Sequence, residues 1–145
     1  MISLKELLVE ASLRFTQNGE LPTLNDHGIE CDSRKVEKNY VFLAIRGEKQ
    51  DGGEFIEEAV QRGACLVVTD QPELVSPGIP WVIVDDSRLA LAKLAAAFYR
   101  HPADYMKIIG VTGTNGKTTT SYLLEHFLER QGKKVGVIGT ISYRY

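Results

Sequence analysis

The run from Gly110 to Thr120, GVTGTNGKTTT, constrains this chain more than any other feature. It follows an apolar stretch at residues 107–111 that reads as a strand. It precedes residues 117–131, whose apolar positions repeat at helical spacing. Strand, glycine-rich loop and helix in that order form the context of a phosphate-binding loop. Gly113 and Gly116 remove side chains where the backbone must curl around an anion, and the helix that follows turns its free N–H groups and positive end toward it. Lys117 is placed to reach β- and γ-phosphate oxygens, and the Thr118 hydroxyl to ligate Mg²⁺. Thr114, Asn115 and Thr119 complete the candidate contacts to ATP. The strict pattern asks for glycine six residues before the lysine, where this chain has Val111 with Gly110 one place earlier. The plain alternative is a Gly/Thr-rich strand-to-helix turn with an exposed lysine. A complete phosphoryl-transfer site also needs a carboxylate for the metal and a group to orient the nucleophile. After Thr118 the only acids are Glu125 and Glu129, two or three turns into the helix.

The chain upstream predicts a separate α/β domain. Ser3 and Glu6 make a capping box ahead of Leu4, Leu7, Leu8 and Ala11, so the chain opens with an amphipathic helix. Residues 15–28 read as turns around one short strand at most. Strands are expected at 29–31, 40–45, 65–69 and 81–84. Between them, Phe55, Ile56, Ala59 and Val60 form a helical stripe stopped by Gly63. Residues 87–99 form a second helix, with Leu91, Leu94, Ala95 and Phe98 on one face, and Trp81 is expected to anchor the core. Pro102 ends that helix, because the residue before proline is pushed out of the α region. The expected division is therefore residues 1–103 and residues 104–145. The second part reads strand, loop, helix, Gly132 and a strand at 134–138. That is the first βαβ unit of a Rossmann-like domain, and it cannot cover both faces of its own strands. On this reading the second domain is truncated.

Composition excludes several classes. Seventeen Lys and Arg against 19 Asp and Glu leave a net charge of −2, without the basic excess of a nucleic-acid binder. No apolar run approaches the roughly 18 residues needed to span a bilayer, and charges early in the chain break any leader pattern, so a cytoplasmic protein is expected. Cys31 and Cys65 lie outside any CxxC or Cys/His cluster and read as two buried free thiols.

The loop TGTNGKTTT at 112–120 resembles that of the Mur ligases and their folylpolyglutamate synthetase relatives. Upstream, CDSRKV at 31–36, VFLAIRG at 41–47 and DGGEFI at 51–56, then Ala59 and Gly63-Ala64, resemble the amino-terminal uridine-nucleotide-binding domain of the MurE and MurF types. Thr114-Asn115 and VIGTISY at 137–143 favour the MurE type. The resemblance implies an ATP-dependent ligase of peptidoglycan synthesis. Its substrates would be UDP-N-acetylmuramoyl-L-alanyl-D-glutamate and an amino acid, L-lysine or meso-diaminopimelate, joined through an acyl phosphate. It also implies that residues 1–103 bind the UDP-sugar, with Ser33 and Arg34 at the nucleotide and Thr140 near the sugar-nucleotide. One departure stands out: Gly53 occupies the place of a common family histidine. The metal ligands and carbamylated lysine of the family would lie past Tyr145. Three readings stay open beside it: a MurF-type ligase, a small P-loop kinase or NTPase, and a non-catalytic uridine-nucleotide module. As a bare tripeptide, Asp32-Ser33-Arg34 is equally a strand-ending turn.

Overall fold

Local chemistry sets the first helix. The Ser3 side chain accepts the Glu6 amide while the Glu6 carboxylate accepts the Ser3 amide, which satisfies two donors that a helix start would otherwise leave open. The computed structural model describes residues 2–24, 28–47, 50–75, 78–139 and 143–144. Contacts within it define two units, Met1–Tyr105 and Met106–Tyr145.

In the first unit, β1 (Ile2–Ser3) leads into α1 (Leu4–Glu10), followed by β2 (Phe15–Asn18), β3 (Thr23–Leu24), β4 (Ile29–Glu30) and β5 (Val41–Ala44). Then come α2 (Ile56–Gln61), β6 (Leu66–Thr69), β7 (Trp81–Val84) and α3 (Ser87–Phe98). Five strands form one sheet in the order β2-β7-β6-β5-β4; β4 to β7 run parallel and β2 is antiparallel to β7. Every residue of β5 and β6 is buried, as expected of parallel strands covered on both faces. Their alternation divides two cores. Val41, Leu43, Leu66, Val68, Val82 and Val84 pack with α1 and α3, while Phe42, Ala44 and Val67 pack with Ile56 and Ala59 of α2. The architecture is three-layer α/β.

Three sequence expectations are corrected. The segment after residue 15 holds two strands, β2 and β3, instead of one at most. β2 reads FTQN, with a single apolar residue, and becomes a strand through its ladder to β7, Phe15 opposite Val84. Cys31 is exposed and Cys65 half-buried, both as free thiols; Cys31 follows β4, which lies at the edge of the sheet among the described residues. Trp81 is half-buried, and both cores are built without it.

The second unit contains α4 (Lys117–Arg130), β8 (Val137–Ile138) and β9 (Tyr143–Arg144). Residues 107–111, expected as a strand, adopt no regular structure. The expected strand at 134–138 shortens to β8, which pairs antiparallel with β9. A strand persists only where its backbone groups find a ladder partner, and among the described residues 107–111 has none. Ile108 is left 69% exposed, Leu123 66% and Phe127 60%.

Candidate functional site

The candidate phosphate loop combines two glycines with the helix behind them. Gly113 has φ 152°. Gly116, the residue that opens α4, sits in the left-handed region at φ 74°, ψ 1°, and offers no side-chain acceptor to the helix start. The first amides of α4 are therefore left for an outside anion, and no acid in the first turn offsets the positive end of the helix. The Lys117 Nζ donates to the Gly113 carbonyl at 2.6 Å, so the ammonium lies across the loop. Thr114, Asn115 and Thr119 are exposed on the same turn, and Thr118 is half-buried. Amides, an ammonium and hydroxyls suit a polyphosphate. For magnesium the loop offers neutral oxygens only, among them the half-buried Thr118 hydroxyl. Among the described residues no cluster of three or more His, Cys, Asp or Glu side chains could hold a metal. A metal seated here would take most of its oxygens from phosphates and water.

In the first unit, the carboxyl ends of parallel strands are where open α/β sheets place ligands. After β4, Asp32 caps a 3₁₀ turn, Ser33–Lys35, by accepting the Arg34 amide at 3.1 Å. The same carboxylate accepts Nε and one terminal nitrogen of Arg34, both at 2.8 Å. This fork holds the Asp32 carboxyl at about 2, well below its ordinary 3.8, chiefly through the side-chain bond to Arg34. Arg34 remains 78% exposed and keeps further N–H donors. Ser33 is buried, and its hydroxyl donates to Glu58 Oε2 at 2.7 Å. Of the two candidates on this turn, Arg34 thus faces solvent while Ser33 is tied inward. Thr140 lies outside the described residues.

After β5, residues 45–47 are hydrogen-bonded to residues 50–52. The Gly52 amide donates to the Ile45 carbonyl and the Gly47 amide to the Gln50 carbonyl. A β-carbon at Gly52 would lie 2.5 Å from the Ile45 nitrogen, so only glycine fits this approach. Gln71, 4% exposed beyond β6, clips the loop from inside. Its amide nitrogen donates to Asp51 Oδ1 at 2.9 Å, and its oxygen accepts Arg46 at 2.9 Å. The Gln71 bond, then the Gly53 amide, hold the Asp51 carboxyl below its usual range. A β-carbon at Gly53 would run into the Leu74 side chain; any larger residue there requires Leu74 to move.

Sequence reading missed Glu58 and Gln71. Each is 20 to 25 residues from the groups it holds. The only local signal was the spacing of four between Glu58 of α2 and Arg62, which caps its end; the structure shows them as an ion pair at 3.0 Å.

Residues 26–99 match the description "Mur ligase family, catalytic domain", and residues 111–144 match "Mur ligase middle domain". A relative in Geobacter metallireducens named UDP-N-acetylmuramoyl-L-alanyl-D-glutamate--2,6-diaminopimelate ligase is 48% identical over 84% of this chain and 24% of its own length. Among solved structures, a MurF from Acinetobacter baumannii aligns over 89% of this chain and 28% of its own at TM-score 0.70 and 30% identity. A MurF ligase from Thermotoga maritima in complex with ADP aligns over 74% of this chain and 25% of its own, at TM-score 0.57 and 30% identity. The chain spans about a quarter of the length of these proteins. With a family match over each unit and the relative of higher identity named as a diaminopimelate ligase, the chain belongs to the Mur ligase family, in its MurE-type branch.

Proposed function

We propose that this chain is the amino-terminal part of a cytoplasmic ATP-dependent ligase that adds 2,6-diaminopimelate to UDP-N-acetylmuramoyl-L-alanyl-D-glutamate. The observation that carries the reading is the phosphate loop: a left-handed Gly116 opening an uncapped helix, with Lys117 laid across the loop. The whole reaction makes an amide from a carboxylate, which has no good leaving group. Transfer of the γ-phosphoryl group of ATP to a carboxylate oxygen supplies one. Attack by the amino acid's amine then forms the C–N bond, the C–O bond to phosphate breaks, and the amine gives up its proton.

Residues of this chain serve the first half. Lys117, released from the Gly113 carbonyl, would pair with the β- and γ-phosphate oxygens, and the first amides of α4 would donate to the other phosphate oxygens. Magnesium, when bound, neutralises charge on those oxygens, and Thr118 would hold it from the protein side. The first unit would grip the uridine nucleotide at the carboxyl edge of its sheet, through Arg34. No helix among the described residues is long and apolar enough to cross a membrane. The structural likeness to MurF keeps a second reading in view, in which the acceptor is a UDP-muramoyl tripeptide.

Calorimetry on the chain tests both sites. Magnesium and a non-hydrolysable ATP analogue should bind, and Lys117→Ala should weaken binding roughly ten- to a hundredfold, the range for a hydrogen bond to a charged group. UDP-muramoyl-dipeptide should raise the melting temperature more than UDP, and more than the tripeptide. Equal ATP affinity in wild type and variant would remove the phosphate-loop reading; no response to any uridine nucleotide would remove the other half.

A further inference from the structure

The turn after β4 is anchored to α2 at two points. Ser33, 5% exposed, gives its hydroxyl proton to Glu58 Oε2 at 2.7 Å. The other Glu58 oxygen accepts Arg62 Nε at 3.0 Å, and Arg62 in turn donates from a terminal nitrogen to the Arg34 carbonyl at 3.3 Å. Glu58 and Arg62, one helical turn apart, thus grip a side chain and a carbonyl of consecutive residues. Asp32 meanwhile forks the Arg34 guanidinium from the turn's own start. The backbone is held from below and the guanidinium from the side, while that guanidinium stays open to solvent.

A hydroxyl has one proton to donate. With that proton committed to Glu58, and the side chain buried, Ser33 is poorly placed to donate to an incoming phosphate or uracil oxygen. Its contribution is geometric, made through Glu58. Binding gains when a recognition group is already held in its bound position, because the cost of ordering it has been met in the free protein.

We propose that Glu58 is a positioning residue for nucleotide recognition, holding the Ser33–Lys35 turn so that Arg34 is presented to an anionic uridine nucleotide. This rests on the reading that the first unit binds such a nucleotide at this edge. Arg62 completes the clamp, and Ser33 acts in it as a buried anchor.

The test uses the chain with UDP as the probe, titrated calorimetrically against wild type, Glu58→Ala, Glu58→Gln, Ser33→Ala and the Ser33→Ala/Glu58→Ala double variant, with melting curves recorded in parallel. Glu58→Ala is expected to raise the UDP dissociation constant about tenfold. Glu58→Gln, which keeps an acceptor for Ser33, should stay within about threefold of wild type. The double variant should be no weaker than Glu58→Ala, since contacts in one network are not additive. Amide exchange at Arg34 and Val36 should quicken in Glu58→Ala without ligand. If Glu58→Ala does not fold, Glu58→Gln against Ser33→Ala carries the comparison: Gln near wild type and Ala weakened supports the clamp. Wild-type affinity in both alanine variants overturns the positioning role and leaves the nucleotide reading standing. If wild type itself does not bind UDP, the nucleotide reading fails and the proposal falls with it, an outcome told apart by the wild-type titration alone.

Discussion

At the scale of single residues, the carboxylates on the sheet's carboxyl edge are the sharpest reporters. Asp32 titrates near 2 because Arg34 forks it, and Asp51 and Glu58 are lowered by Gln71 and by Ser33 respectively. A depressed carboxylate contributes stability above its unfolded value, here 3.8 to 4.5, and that contribution is lost as pH falls through the folded value. The first unit should therefore lose stability below about pH 4. Carbon-detected NMR titration should place the Asp32 midpoint near 2 in wild type, and well above it in Arg34→Ala. An unchanged midpoint in the variant would show that the fork does not form in solution. Gly52→Ala forces a β-carbon onto the Ile45 backbone and should cost about 1–3 kcal/mol in urea unfolding.

At the scale of elements, α1 and α4 contrast. α1 is fixed by its capping box and three buried leucines. Ser3→Ala should cost about 1 kcal/mol, seen as a fall of roughly 5 °C in the melting temperature. α4 is twice as long yet has no fully buried residue, so core packing contributes less to it than to α1. Hydrogen exchange should find α3 amides protected orders of magnitude more strongly than those of α4, and magnesium with an ATP analogue should raise protection in the first turns of α4. Comparable protection in the free protein would contradict the exposure of Leu123 and Phe127. Much of this level was legible in sequence. The capping pair, the stripe ending at Gly63 and the glycines around Lys117 are short-range codes, read within a few residues of where they act. β2 was not, since FTQN acquires its strand geometry only from β7.

At the scale of the whole molecule, the first unit's sheet divides two cores that share strands. Phe42 is fully buried in one of them while Val41 and Leu43 beside it serve the other. Phe42→Ala should cost about 3–5 kcal/mol and unfold both layers together, giving a single coincident transition by circular dichroism and tryptophan fluorescence. Two separate transitions within residues 1–105 would show that the layers are independent.

The amino-acid order alone determined what depends on near neighbours: strands within the runs 40–45, 65–69 and 81–84, the helix caps, and a glycine-rich turn into the Lys117 helix. These follow from steric limits on each residue and from hydrogen bonds spanning a turn or less. Tertiary structure decided what depends on groups far apart in the chain. It turned Ser33 inward to Glu58, set Gln71 between Asp51 and Arg46, recruited β2 to the sheet edge and left 107–111 without a ladder among the described residues. Those outcomes turn on which distant backbone or side-chain partner is brought within about 3 Å, and no local pattern encodes that distance.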